Sequence, residues 1–373
     1  MHFNLQRILL IVGIASIHAK PTPLFSKPTT LSLSSRKIGG SQLGTPPQDF
    51  TVVFDTGSDE LVIPGTNCTT SCANQKKFDP TQSSTFKLNT GDGIFEESFL
   101  TGGDASPWGL KDWSMSLIEV SDTMTVGGLS VSNVSFLLIQ NQSQYICEPF
   151  IRSMAFIWPP HSVGGAEMTL GGVDSSKFTS QTTFAPIVAD GHGAWILNSS
   201  GIAVNGQTND VLAVHTEVLF DTGTTNVFLP LAMAEALYAF ISPEIQPNPT
   251  EPGAWGIPCS KVGSLPASVD FTLQSVAGTA FNVTIPSSEL SVGPFIGNNS
   301  LCQAAFNSWP ANFTIPPIIG NSLFKHYYTT WDSGNLALGF APICECSFQL
   351  GWIVEFDLNS IIQNLRNGLH GNT

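Results

Sequence analysis

Apolar residues fall along this chain in short runs, each broken within a few positions by glycine, proline or a small polar residue. Such runs, rich in Phe, Val and Thr, predict β-strands rather than helices. The exception is Leu231 to Ile241, where apolar positions recur at helical spacing directly after Pro230. Asp332-Ser333-Gly334-Asn335 sits between two apolar runs and reads as a hairpin turn. Many short strands punctuated by Gly and Pro suit closed barrels and packed sheets. At the start, Ile8 to Ala15 is an apolar stretch too short to span a bilayer. With Arg7 before it and the small residue Ala19 after it, the pattern predicts a signal peptide over residues 1–19.

One segment of this pattern occurs twice. Thr51 to Pro64 reads TVVFDTGSDELVIP and Glu217 to Pro230 reads EVLFDTGTTNVFLP. Both run apolar strand, Phe, Asp-Thr-Gly, hydroxyl residue, two polar positions, apolar strand, Pro. The offset is 166 residues, too long for a solenoid and right for a duplicated lobe. A lone Asp-Thr-Gly is a weak signal, whereas two copies with matched flanks on both sides are a strong one. Each copy drops an Asp, Asp55 or Asp221, into a tight turn. Gly57 and Gly223 let backbone approach backbone where a side chain would clash. Thr56 and Thr222 can tie the two loops to each other, and Ser58 and Thr224 place hydroxyls beside the carboxylates. Two Asp side chains brought face to face cannot both ionise cheaply, so they share a proton and divide into an acid and a base. An Asp in an ordinary turn would explain one copy but not the pair.

Composition narrows the class further. The 373 residues are 42% hydrophobic and 11% charged, which supplies a core and excludes a disordered tail, a coiled coil and a collagen. The net charge of −14 repels nucleic acid. That acidity serves plain solubility or, more sharply, work in acid, where few bases leave little positive charge once the carboxylates are protonated. Seven Asn-x-Ser/Thr sequons, at Asn67, Asn133, Asn141, Asn198, Asn282, Asn298 and Asn312, join the leader in pointing to a secreted glycoprotein. Seven cysteines fit an oxidising compartment. Cys68 and Cys72 close a tight loop and Cys259 and Cys302 could close a long one, leaving Cys147, Cys344 and Cys346, one of which must stay unpaired or bond another chain. Cys344-Glu345-Cys346 lacks the His company a zinc site needs, so no metal is expected.

At these residues the chain resembles the pepsin-like aspartic proteases of the secreted, two-lobed kind, from about Ile38 to Pro342. Gly44-Thr45-Pro46-Pro47-Gln48, Asp79 and Ser83-Ser84-Thr85-Phe86 match the family's first lobe. Trp255 with Ile257-Pro258-Cys259, Leu265-Pro266, Ile318-Ile319-Gly320 and Tyr327 to Ala341 follow its second lobe more closely. The resemblance implies an all-β, bilobal fold in which two barrel-like lobes, related by approximate two-fold symmetry, enclose a cleft. It implies a short pro-segment over residues 20–37, an N-terminal lobe over 38–185, a C-terminal lobe over 186–342 and a tail over 343–373. It further implies an endopeptidase using Asp55 and Asp221 on a water molecule at acid pH, without metal or organic cofactor. A flap at Thr90, Gly91, Asp92 and Gly93, polypeptide substrates, a secreted location, no membrane anchor and a monomeric state complete the expectation. Three departures lie in the first lobe. Thr90 precedes Gly-Asp-Gly where the family carries Tyr, Val62 replaces a Trp, and no apolar-apolar-Gly strand occurs between Phe136 and Gly164. They leave open a second reading, a catalytically silent relative kept for protein or carbohydrate binding.

Overall fold

In the computed structural model the residues described are 29–34, 37–38, 41–50, 52, 55–57, 60–73, 75–89, 93–98, 114–143, 164–170, 172–188, 194–265, 267–295, 297–309, 315–343 and 353–356. The fold is all-β, with 49% strand and 10% helix among the described residues. The helix predicted after Pro230 is present as Leu231–Ile241, burying Met233, Ala234, Leu237 and Tyr238 on one face. The turn at Asp332 joins Tyr327–Asp332 to Ala337–Pro342, and the Asp332 carboxylate accepts hydrogen bonds from the backbone and side chain of Asn335.

In the first lobe, Ser114–Val126 and Leu129–Gln142 form a long hairpin. It turns at Gly127 and Gly128, with φ of 58° and 81°, a two-residue geometry that side chains oppose. The strands Ser41–Leu43, Lys87–Leu88 and Phe95–Ser98 pair with the first arm, and Val62–Pro64 pairs with the second. Alternation along the second arm serves two cores. Phe136 and Leu138 meet Leu43, Phe50, Ile63, Phe78 and Val120, whereas Leu137 and Ile139 meet Met115, Leu117 and the Cys68–Cys72 disulfide. Val62, at the departure from Trp, packs against that disulfide cluster.

The second lobe contains one larger core and two sheets. Its seven-stranded sheet places Ile318–Ile319 between Thr216–Phe220, to which it runs parallel, and Val227–Pro230, to which it runs antiparallel. Val227–Pro230 also pairs in parallel with Phe306–Trp309, just as Val62–Pro64 pairs in parallel with Leu137 to Ile139 in the first lobe. The duplicated sequence is thus a duplicated strand arrangement. A four-stranded sheet completes the lobe, stapled by the second disulfide, Cys259–Cys302. Cys147, Cys344 and Cys346 lie outside the described residues.

A third seven-stranded sheet draws on both ends of the chain. Thr29–Ser34, from the stretch assigned to a pro-segment, pairs antiparallel with Gly164–Leu170. Ile353–Phe356, from the stretch assigned to a tail, pairs in parallel with both Gly164–Leu170 and Tyr327–Asp332. Among the described residues no helix is long and apolar enough to cross a membrane.

Candidate active site

Asp221 is delivered by Thr216–Phe220, whose last residue is fully buried against Phe324 and Phe340. Directly beyond it, the Asp221 N–H donates to Ile319 O at 3.0 Å, so the inserted strand fixes where the loop leaves the sheet. Asp55 sits at the matching point of the first lobe, after Val52, which packs on that lobe's core.

The two loops are tied across the lobes through their threonines. Thr56 N–H donates to Thr222 Oγ1 at 3.1 Å and Thr222 N–H donates to Thr56 Oγ1 at 2.9 Å. The Thr56 hydroxyl in turn donates to Phe220 O at 3.1 Å. This reciprocal arrangement gives the partly buried backbone groups partners at a place where neither lobe supplies a ladder. It also fixes the distance between the carboxylates that follow.

Those carboxylates meet. One backbone N–H, that of Gly57, reaches an oxygen of both Asp55 and Asp221. Gly57 N–H donates to Oδ1 of its own Asp55 at 2.9 Å and to Oδ1 of Asp221 at 3.1 Å, and Gly223 N–H donates to Asp221 Oδ1 at 2.7 Å. A Cβ on Gly57 would stand 2.6 Å from the carboxyl carbon of Asp221, and one on Gly223 would collide with the carboxyl group of Asp55. Only glycine fits at either place. Thr224 Oγ1 donates a short hydrogen bond to Asp221 Oδ2. Ser58, its counterpart in the first loop, lies outside the described residues.

The environment of the pair is unequal. Asp221 is 8% exposed and Asp55 is half-buried. Burial pushes the Asp221 carboxyl well above the ordinary carboxylate range, and the neighbouring charge and hydrogen bond of Asp55 push it the same way. The bonds from Thr224 and Gly223 act in the opposite direction and do not cancel that rise. The arrangement can therefore keep one proton on the pair where an isolated Asp would have lost it.

Of the four residues assigned to a flap, Thr90, Gly91 and Asp92 lie outside the described residues, and Gly93 is exposed with φ 66°. Lys87–Leu88 and Phe95–Ser98 pair with the same strand, at Val120 to Ser121 and at Ser114 to Leu117. Gly93 thus lies between two stretches that pair along one sheet edge. Two supports of the pair were not foreseen from sequence, Phe220 O as an acceptor for Thr56 and Ile319 O as an acceptor for Asp221. Both are backbone oxygens, which leave no residue signature. All six described sequon asparagines, Asn67, Asn133, Asn141, Asn198, Asn282 and Asn298, are exposed, and Asn312 lies outside the described residues.

The family model described as eukaryotic aspartyl protease matches residues 38–151 and 153–343. The chain belongs to that family. Among curated proteins it is similar to cathepsin E of Aquarana catesbeiana, at 27% identity over 85% of this chain and 82% of the relative. It is similar to pepsin A of Sus scrofa, at 27% over 83% and 82%, and to pepsin-2B of Gadus morhua, at 28% over 82% and 95%. Family membership makes peptide hydrolysis the general activity of this fold.

Proposed function

We propose that the chain is an active aspartic endopeptidase that cleaves polypeptides at acid pH with Asp55 and Asp221 as its catalytic pair. The observation that carries this reading is the pairing of Asp55 and Asp221 on the one Gly57 N–H, held by reciprocal threonine bonds from both lobes. A silent relative has no chemical use for that geometry, which costs the protein a buried carboxyl.

The buried Asp221 carries the shared proton and Asp55, the more exposed partner, is the ionised base. A water between them gives a proton to Asp55 as its oxygen attacks the scissile carbonyl carbon. Asp221 donates its proton to the developing oxyanion, giving a neutral gem-diol. As the C–N bond breaks, the leaving nitrogen takes a proton from Asp55 and a gem-diol proton returns to Asp221, restoring the starting pair. Thr224 and the Gly223 N–H orient Asp221 throughout, and Gly57 N–H bridges both carboxyls. The substrate is read as an extended peptide, with Thr90, Gly91, Asp92 and Gly93 as the flap over it. The leader, the exposed sequons and the two disulfides support a secreted glycoprotein.

The test is turnover of a denatured protein substrate by wild type, Asp55→Asn and Asp221→Asn at acid pH. Loss in both variants with retained folding supports the assignment, and equal activity in all three contradicts it.

A further inference from the structure

Among the described residues, Glu289 is a carboxylate well inside the second lobe, with a side chain 16% exposed, and it sits far from the Asp55–Asp221 pair in sequence. It ends the short turn Ser287–Glu289 between the strands Ala280–Ile285 and Ser291–Phe295. Lys325 Nζ stands 2.6 Å from its Oε2 and His326 Nε2 stands 3.3 Å from its Oε1. Lys261 and Lys325 are the two cationic Lys or Arg residues between 186 and 342, and Lys261 is engaged at the surface with Glu244 at 3.2 Å. The lobe's other lysine is thus committed to Glu289.

The contact is tied to the catalytic loop by two routes. Lys325 and His326 directly follow the buried turn Asn321–Phe324. The backbone there runs back along the Asp221 loop, with Gly320 N–H to Asn226 O at 3.0 Å, Asn321 N–H to Thr224 O at 2.8 Å and Ser322 N–H to Thr225 O at 3.2 Å. Thr224 is the residue whose hydroxyl holds Asp221 Oδ2. On the other side of Glu289, Leu290 O accepts from Ala305 N–H at 3.0 Å and Ala305 O accepts from Val227 N–H at 2.9 Å.

We propose that Glu289 is a positioning residue for the reaction, acting through Lys325 and His326 to hold the segment that fixes Thr224 and Asp221. This rests on the peptidase reading above. The ion-pair cluster presses the Asn321–Phe324 turn against the catalytic loop, and its charge state sets how firmly. Burial pushes the Glu289 carboxyl up, but the contacts with His326 and Lys325 outweigh burial and hold it below the ordinary carboxylate value. Its contribution is therefore complete above the unfolded pKa and is lost only as pH falls through the lower folded value. No other charged side chain belongs to Ala280–Ile285, Ser291–Phe295 or Asn321–Phe324. Beside Ala280–Ile285, Asp270 accepts from Thr284 Oγ1 at 2.6 Å and the Tyr327 hydroxyl accepts from Thr284 N–H at 2.8 Å. Removing Lys325 leaves burial the dominant influence on Glu289, so the carboxyl takes up its proton at higher pH.

The experiment compares the full chain with Lys325→Met, Glu289→Gln and the milder His326→Gln. It reads kcat and KM on one peptide, and the thermal unfolding midpoint, across the acid range. Lys325→Met is expected to move the acid limb of kcat up by about one pH unit with KM within about twofold. Glu289→Gln is expected to lower kcat about tenfold and to abolish any further effect of Lys325→Met. His326→Gln gives the same upward shift in smaller measure and serves where Lys325→Met does not fold. Variants that unfold more easily while keeping the wild-type kcat and acid limb would overturn the proposal, since the cluster would then be structural only. If wild type shows no turnover, the peptidase reading fails. The positioning role, which needs that reaction, then falls with it, whereas an active wild type with unmoved variants overturns the positioning role alone.

Discussion

Thr56 and Thr222, one from each lobe, exchange hydrogen bonds so that each backbone N–H donates to the hydroxyl of the other. The bonds are symmetric because the sequence is duplicated, and they join the two lobes at the paired carboxylates. A partly buried hydrogen bond contributes about 1 kcal/mol, and an orphaned partner costs more. Thr56→Val removes the acceptor for Thr222 N–H and the donor to Phe220 O, so it should destabilise by about 2–3 kcal/mol. The double variant with Thr222→Val should cost less than the sum of the single variants, because each removes part of one shared unit. Denaturant unfolding of the four proteins measures this, and strict additivity would show that the threonines act separately.

Asp221 should cost the protein stability in return for reactivity. Its folded pKa lies above that of the unfolded chain, so the folded state is favoured below the unfolded value, and that advantage is lost as pH rises through the folded one. Asp221→Asn removes the buried charge, and its amide oxygen can still accept from Gly57 and Gly223. The variant should be inactive yet more stable than wild type at neutral pH, by about 1–2 kcal/mol. Thermal unfolding at pH 7 checks this, and a variant less stable than wild type there would contradict the assigned burial cost.

The mature N-terminus should precede Thr29. Cleavage near Ile38, the start the sequence suggests, would remove Thr29–Ser34 and expose the edge of Gly164–Leu170 along its length. N-terminal sequencing of active protein after acidification should therefore give a start upstream of Thr29. A start at Ile38 with full activity would show that this strand is dispensable.

Thr90→Tyr should raise kcat/KM by about tenfold, because a Tyr in the flap adds aromatic area over the bound peptide that Thr lacks. Peptide kinetics on the purified variant measure it, and a variant no faster than wild type would move the flap away from Thr90–Gly93.

How legible the molecule was from sequence differs between its lobes. Phe220-Asp221-Thr222-Gly223 and Ile318-Ile319-Gly320 are local words, each short enough to read, and the structure joins them by one parallel pairing. The helix after Pro230 followed from spacing alone. The central sheet was not legible, because Thr29–Ser34 and Ile353–Phe356 meet Gly164–Leu170 from opposite ends of the chain and long-range register leaves no local trace. Thr-Gly-Asp-Gly has the composition of a hairpin tip, yet whether it turns the chain or only interrupts a strand depends on what its flanks pair with. Glu289, too, carries no motif, since its meaning lies in Lys325 and His326, 36 and 37 residues away.

The central claim is that one shared proton on Asp55 and Asp221 drives peptide hydrolysis. Its most direct measurement is kcat/KM of the purified wild-type protein on one internally quenched peptide, from about pH 2 to about pH 8. The account predicts a maximum in acid and a steep fall as pH rises through the upper pKa of the pair, when the shared proton is lost. A maximum at neutral or alkaline pH would contradict it.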